Sequence, residues 1–150
     1  MPKHQTLDPA VALRLDHQLC FALYSASLAM TKLYKPFLDE LGLTYPQYLA
    51  MLALWEQDGP SVSQLGERLR LDSGTLTPLL KRLESLGLVT RLRSVEDERR
   101  VHVRLTAAGR RLRGKAEKIP GCILQASRCS ASEVAQLTRQ VQALRDRIAA

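Results

Sequence analysis

The chain has 150 residues, a formal net charge of +7, 45% apolar side chains and 25% charged ones. This is the make-up of one self-sufficient globular domain, and it excludes both a disordered polyelectrolyte and a miniature fold held by disulfide or metal staples. Aromatics are only 5%, and the aliphatic content is mostly Leu and Ala, which suits helices better than a β-sandwich. The longest apolar run, residues 48–55, falls far short of the roughly 18–20 residues that cross a bilayer. Residues 1–6 are not followed by the hydrophobic segment a secretory signal needs. The expectation is a cytoplasmic protein with no membrane partner.

In chain order, Asp8-Pro9 reads as an N-cap followed by proline at the first helical position. Leu15, Leu19, Ala22, Leu23, Ala26, Met30 and Leu33 recur at steps of three and four, which predicts one helix from there to about Lys35. Pro36 should end or kink it. Thr44 and Gln47 frame a capping box for a second helix reaching about Gln57, and Asp58-Gly59-Pro60 marks a turn. Two helices follow, over residues 63–70 and 73–86, with Asp72 capping the second and Gly87 closing it. Residues 88–94 are extended in character, residues 95–99 form a charged connector, and Val101-His102-Val103-Arg104-Leu105-Thr106 alternates as a half-buried strand. Thr106 can cap a helix through about Lys118, and Pro120-Gly121 interrupts before helix resumes towards Ser127. Ser130 or Ser132 starts a last helix, with Val134, Leu137, Val141, Leu144 and Ile148 on one stripe. The fold class is mainly α with a small β-wing.

The charge is localised. Residues 61–115 hold 13 basic and 6 acidic side chains, while the rest of the chain is balanced. A local excess is the footprint of a polyanion site, most often nucleic acid, although a solvated charged surface has the same composition. Three cysteines, Cys20, Cys122 and Cys129, are an odd number for a disulfide framework. With no CxxC and with His4, His17 and His102 scattered, neither a metal site nor a cofactor is expected.

Projected at 100° per residue, the segment after Asp72 buries Leu76, Leu79, Leu80, Leu83 and Leu86. Its other face carries Gly74, Thr77, Pro78, Lys81 and Ser85, flanked by Ser73, Thr75 and Arg82. Small hydroxylated residues first and basic ones later is the order needed by a helix that enters a major groove by its N-terminus. Pro78 breaks a local rule, so either the helix starts later or a bend is tolerated. An ordinary amphipathic surface helix is the alternative. Arg91, Arg93, Arg99, Arg100 and Arg104 surround a connector that also holds Glu96, Asp97 and Glu98. A hairpin tip carrying Arg can enter a minor groove, with a carboxylate fixing the guanidinium.

The run Leu71-Asp72-Ser73-Gly74-Thr75-Leu76-Thr77-Pro78-Leu79-Leu80-Lys81-Arg82-Leu83-Glu84, with Gly87-Leu88-Val89-Thr90-Arg91, Asp97-Glu98-Arg99-Arg100 and Leu105-Thr106-Ala107-Ala108-Gly109, resembles the winged helix-turn-helix core of the MarR family of bacterial transcription regulators. The resemblance extends from about Asp8 to the C-terminus. It implies an obligate homodimer on pseudo-palindromic double-stranded operator DNA, with residues 8–45 and 107–150 as the helical dimerisation region and residues 46–106 as the DNA-binding region. It implies Ser73, Thr75, Thr77 and Arg82 in or beside the major groove, and Arg99 in the minor groove with Asp97 orienting it.

Cys20 alone reads as a small apolar helix residue, and the nearby tyrosines as core aromatics. The strings Gln18-Leu19-Cys20-Phe21-Ala22-Leu23-Tyr24, Met30-Thr31-Lys32-Leu33-Tyr34-Lys35-Pro36 and Leu43-Thr44-Tyr45-Pro46-Gln47-Tyr48-Leu49 are similar to the organic hydroperoxide resistance regulators within that family. This resemblance implies that Cys20 is the peroxide-reactive residue, that Tyr34 and Tyr45 hydrogen-bond to it, and that Tyr24 takes part in the rearrangement after oxidation. It also implies a resolving cysteine near the end of the penultimate helix, for which Cys129 and Cys122 are both candidates. The expected function is a repressor, not an enzyme, released from DNA when an organic hydroperoxide oxidises Cys20 through sulfenic acid to an intersubunit disulfide. Two rivals remain open at this level: a regulator whose effector is a small aromatic acid or drug, and a thiol peroxidase.

Overall fold

The computed structural model describes residues 7–149. Residues 1–6, read above for a secretory signal, and residue 150 lie outside it. The elements in order are α1 (Pro9–Ala12), a 3-10 turn (Leu15–His17), α2 (Leu19–Leu41), α3 (Tyr45–Glu56), α4 (Val62–Leu69), α5 (Ser73–Ser85), β1 (Val89–Arg93), β2 (Val101–Leu105), α6 (Ala107–Ala116), α7 (Ile119–Ser127) and α8 (Ala131–Ala149).

The caps explain most boundaries. Thr44 with Gln47, and Ser61 with Gln64, form reciprocal capping boxes at the starts of α3 and α4. Asp72 accepts the Thr75 amide at 2.7 Å. Ser130 is the N-cap of α8, exchanging bonds with Glu133. The expected single helix from Asp8 to Lys35 does not form. Asp8 does cap Ala10, but the helix stops after one turn. The Gln18 side chain then donates to the carbonyls of Ala12 and Arg14, at 2.6 and 2.8 Å, closing the break before α2 begins. Pro36 does not end α2, which runs on to Gly42 in the left-handed conformation. An exposed proline removes one amide donor from a ladder of more than twenty residues, and neighbouring turns hold the helix. Pro78 likewise lies inside α5, which begins at Ser73 and not later.

One core cluster holds the molecule together, from Leu38 and Leu43 through Tyr48, Met51 and Leu54 to Leu76, Leu80, Leu83, Val103, Ile119 and Ile123. Of the predicted α5 face, Leu76, Leu80 and Leu83 are buried. Leu79 is half-buried, and Leu86, at the C-cap where α5 leaves the core, is 39% exposed. β1 and β2 pair antiparallel, Val89 opposite Leu105 and Arg93 opposite Val101. The segment before α4 lies along the outer edge of β2: the Val103 amide donates to the Pro60 carbonyl, the Leu105 amide to the Asp58 carboxylate, and Ser61 bridges to His102.

At the other end of the chain the helices are uncovered. No described residue of α1 or α8 is buried. Leu19, Phe21, Leu23, Leu28 and Met30 on α2, and Val134, Leu137, Val141 and Ile148 on α8, all stand exposed. So much exposed apolar surface is unusual for a lone globular chain. Among the described residues no helix is long and apolar enough to cross a membrane.

Candidate nucleic-acid interface and thiol site

Two helices and a hairpin build the basic face. α4 and α5 are joined by Arg70, in the left-handed conformation, Leu71 and Asp72. They approach closely because position 66 is glycine, where a Cβ would sit 3.0 Å from the Leu71 carbonyl oxygen. Bonds from the backbone amides of Thr75 and Gly74 hold the Asp72 carboxyl below the usual carboxylate range. Ser73, Thr75, Lys81 and Arg82 are exposed, and Thr77 is half-buried.

Arg91 turns back from β1 to Glu84 at the end of α5, with N···O at 3.4 Å. The guanidinium beside it holds the Glu84 carboxyl low. Arg91 is therefore a strut between wing and helix as well as a cation. Arg93 and Arg99 extend into solvent. Asp97 sits beside Arg99, as the sequence suggests, but its carboxylate accepts the Arg99 backbone amide at 3.0 Å. It fixes the main chain of the tip, which Ser94 tightens further by accepting the Glu96 and Asp97 amides.

Between wing and helices lies an open cleft of about 450 Å³, lined by Ser63, Gln64, Thr77, Arg91, Arg99 and Arg100 among others. Arginines together with a helix N-terminus favour anionic oxygens. Ser63 and Gln64 were not legible as part of the site from sequence. The signal available was the Ser61–Gln64 capping box, which places the first turn of α4 beside the wing.

The thiol site is divided. Cys20 is exposed in the second position of α2. Tyr24 lies one turn further along, 62% exposed. Tyr34 and Tyr45 meet elsewhere, with ring centroids 5.0 Å apart. Tyr48 completes the group, at 5.8 Å from Tyr34 and 6.3 Å from Tyr45. Tyr48 was not assigned to the site from sequence, although its i,i+3 spacing from Tyr45 places both on one side of α3. Burial raises the phenol of Tyr34, with Tyr45 adding to the effect, and burial also raises that of Tyr45. Burial first, then Tyr34 and Tyr45, pushes Tyr48 up to about 12. All three rings stay protonated and able to donate. Cys20 and Tyr34 are 14 residues apart on one continuous helix, about 21 Å along its axis. Within one chain the thiol and this hydroxyl do not meet.

Cys122 is half-buried on α7, and its amide donates to the Lys118 carbonyl. Cys129 is half-buried in the α7–α8 connection, after Arg128 in the left-handed conformation. Among the described residues no group of three or more His, Cys, Asp or Glu side chains gathers to hold a metal ion.

The profile of a family described as transcriptional regulator SarA/Rot matches residues 32–115. The chain is 56% identical over 125 residues to the organic hydroperoxide resistance transcriptional regulator of Bacillus subtilis strain 168, covering 83% of this chain and 85% of the relative. Its fold is similar to that of AbfR of Staphylococcus epidermidis. Against the overoxidised form bound to DNA, the TM-score is 0.77 at 32% identity, over 95% of this chain and all of that one. Against the disulfide form it is 0.62 at 34% identity, over 93% and 92%. A basic helix-turn-helix with its wing, and relatives named as transcriptional regulators along nearly their whole length, lead to one conclusion: this chain is a DNA-binding transcriptional regulator, not an enzyme, and belongs to the MarR family in the subgroup of organic hydroperoxide resistance regulators.

Proposed function

We propose that the protein is a cytoplasmic repressor that holds a pseudo-palindromic operator as a reduced homodimer and lets go when an organic hydroperoxide oxidises Cys20. The observation that carries this reading is the divided thiol site. Cys20 and Tyr34 lie about 21 Å apart along α2, so a second copy is needed to bring the Tyr34 phenol to the thiol. The uncovered apolar faces of α2 and α8 supply a surface for that copy. Two α2 helices crossing about a two-fold axis near Ser27, midway between residues 20 and 34, would set each Cys20 beside Tyr34 of the other chain. Residues 8–45 and 107–150 then form the dimerisation region, and residues 46–106 read DNA.

Donors around the sulfur favour its thiolate. The thiolate attacks the terminal oxygen of the hydroperoxide. An S–O bond forms as the O–O bond breaks, and the alkoxide leaves and takes a proton to become an alcohol. The sulfenic acid then condenses with a second thiol, releasing water and forming a disulfide. Tyr24, one turn from Cys20, is placed to move with it. The AbfR comparison favours the disulfide as the releasing step. An overoxidised form of that relative is bound to DNA, so oxygen on sulfur does not by itself separate the two. The chain is also less similar in fold to the disulfide form than to the DNA-bound one.

Non-reducing electrophoresis after one equivalent of cumene hydroperoxide tests the pairing. A covalent dimer is expected from the wild type, and it should be absent in Cys129→Ser but kept in Cys122→Ser. Cys129 is expected to be the partner because it lies in the connection between α7 and α8. A dimer that survives both substitutions overturns the resolving role of either cysteine.

On the DNA side, Ser73, Thr75 and Thr77 face base edges, Lys81, Arg82, Arg91 and Arg93 face phosphates, and Arg99 on its Asp97-fixed tip enters the minor groove. Arg99→Ala should weaken operator binding and reduce the slope of log affinity against log salt by about two, one for each subunit of the dimer. Anisotropy titrations at several salt concentrations measure this, and an unchanged slope would remove Arg99 from the interface.

A further inference from the structure

Among the described residues a single ion pair joins the DNA-reading head, residues 46–106, to the helices outside it. Arg70, in the turn between α4 and α5, donates from Nη2 to Oδ1 of Asp146 near the end of α8, at 3.4 Å. The other pairs lie within the head, within α2 or α8, or between α2 and the start of α7. Arg70 stands at φ 58°, in the left-handed region. Glycine or asparagine is the usual residue at such a helix end, and a longer side chain strains the backbone. A strained residue calls for a reason, and here the side chain makes the link. Two residues on, Asp72 caps the reading helix α5, so the link ends at the foot of that helix. Around α8, Asp146 lies roughly 160° from the stripe of Val134, Leu137, Val141, Leu144 and Ile148. The link therefore leaves the apolar face of α8 open to a second copy.

We infer that Arg70 and Asp146 are positioning residues: they fix the angle of the reading head against α8, and through it the half-site spacing that the dimer accepts. The inference rests on the dimeric reading of a pseudo-palindrome and adds to it the residues that set its spacing. The head is already fastened at its root, where the Trp55 indole donates to the Gly109 carbonyl of α6 at 2.9 Å. A second tie at the turn before α5 removes freedom to pivot about that root. Both charged side chains remain more than half exposed, at 53% and 60%, so each tie is modest and screened by salt.

The test measures affinity by anisotropy on the full-length reduced protein with two labelled duplexes. One is selected by that protein from random sequences. The other is the same duplex with one base pair inserted at its centre of symmetry, which shifts the half-sites by roughly 3.4 Å and about 35°. The wild type should bind the lengthened duplex much more weakly. Asp146→Asn should bind the first duplex within about twofold of the wild type and lower the penalty for the second about threefold, the effect of exposed ion pairs. Arg70→Asn, whose side chain suits the left-handed turn, should lower it equally, and the double substitution should lower it no further. Asp146→Glu should keep the wild-type penalty. A ratio of two affinities cancels changes in folded fraction and net charge, so a merely destabilised variant leaves it unmoved. An unchanged penalty in Asp146→Asn overturns the inference, and so does an additive effect in the double substitution. If the wild type itself binds both duplexes equally, the reading of two half-sites falls and this inference with it.

Discussion

Cys20→Ser is expected to bind operator DNA as tightly as the wild type and to stay bound after hydroperoxide treatment that releases the wild type completely. Two observations separate binding from release. Cys20 is exposed near the start of α2 and contributes nothing to the buried core. It is also distant in sequence from α4, α5 and the wing, which carry the basic face. Serine keeps the size of the side chain but lacks the thiolate chemistry that attacks the peroxide bond. Anisotropy of a labelled operator fragment, before and after one equivalent of cumene hydroperoxide, gives both quantities in one titration. Release of the serine variant at the wild-type dose would end the assignment of Cys20 as sensor.

The second large effect concerns folding. Gly109→Ala should destabilise the protein by about 3 kcal/mol, the upper part of the range for overpacking against a rigid neighbour. A Cβ at this position would run into the Leu88 carbonyl oxygen, with the Leu105 side chain 3.2 Å away. The Leu88 backbone is not free to move. The Leu88 carbonyl accepts the Thr106 amide, the Thr106 hydroxyl donates to the Gly87 carbonyl at 2.6 Å, and the Gly109 carbonyl accepts the Trp55 indole at 2.9 Å. Gly114→Ala is the control. It lies in the same helix with open space at its Cβ, and alanine there should stabilise by roughly 0.5–1 kcal/mol because glycine is the poorer helix former. Urea denaturation followed by circular dichroism separates the two. Equal effects would show that helix propensity, and not contact with Leu88, governs position 109.

Much of this architecture was legible in the sequence because its signals are local. The capping box at Thr44, the Asp72 cap and the alternation over β2 are each written within a few residues. What escaped depends on contacts between distant parts of the chain. The break after α1 is closed by two bonds from Gln18 that no periodicity records. α2 passes through Pro36 because the turns on both sides are held. Tyr48 joined Tyr34 and Tyr45 only once α3 had packed on α2. For the candidate site, the sequence offered candidate residues, but the separation of Cys20 from Tyr34 was not readable. It follows from α2 being continuous between Leu19 and Leu41, a fact of helix length and not of motif.

The strip from Asp58 to Ser61 that lines the edge of β2 has a mechanical consequence. With Arg91 bridging to Glu84 on one side and Pro60, Asp58 and Ser61 clasping β2 on the other, hairpin and reading helix are welded into a single stiff unit. Under the proposed reading, the groove contacts of hairpin and helix would then loosen together. If α2 pairs with a second copy as proposed, a torque from those helices would lift both at once, and promoter occupancy should collapse in one abrupt step as oxidant accumulates, with no half-attached stage in which only the hairpin has let go.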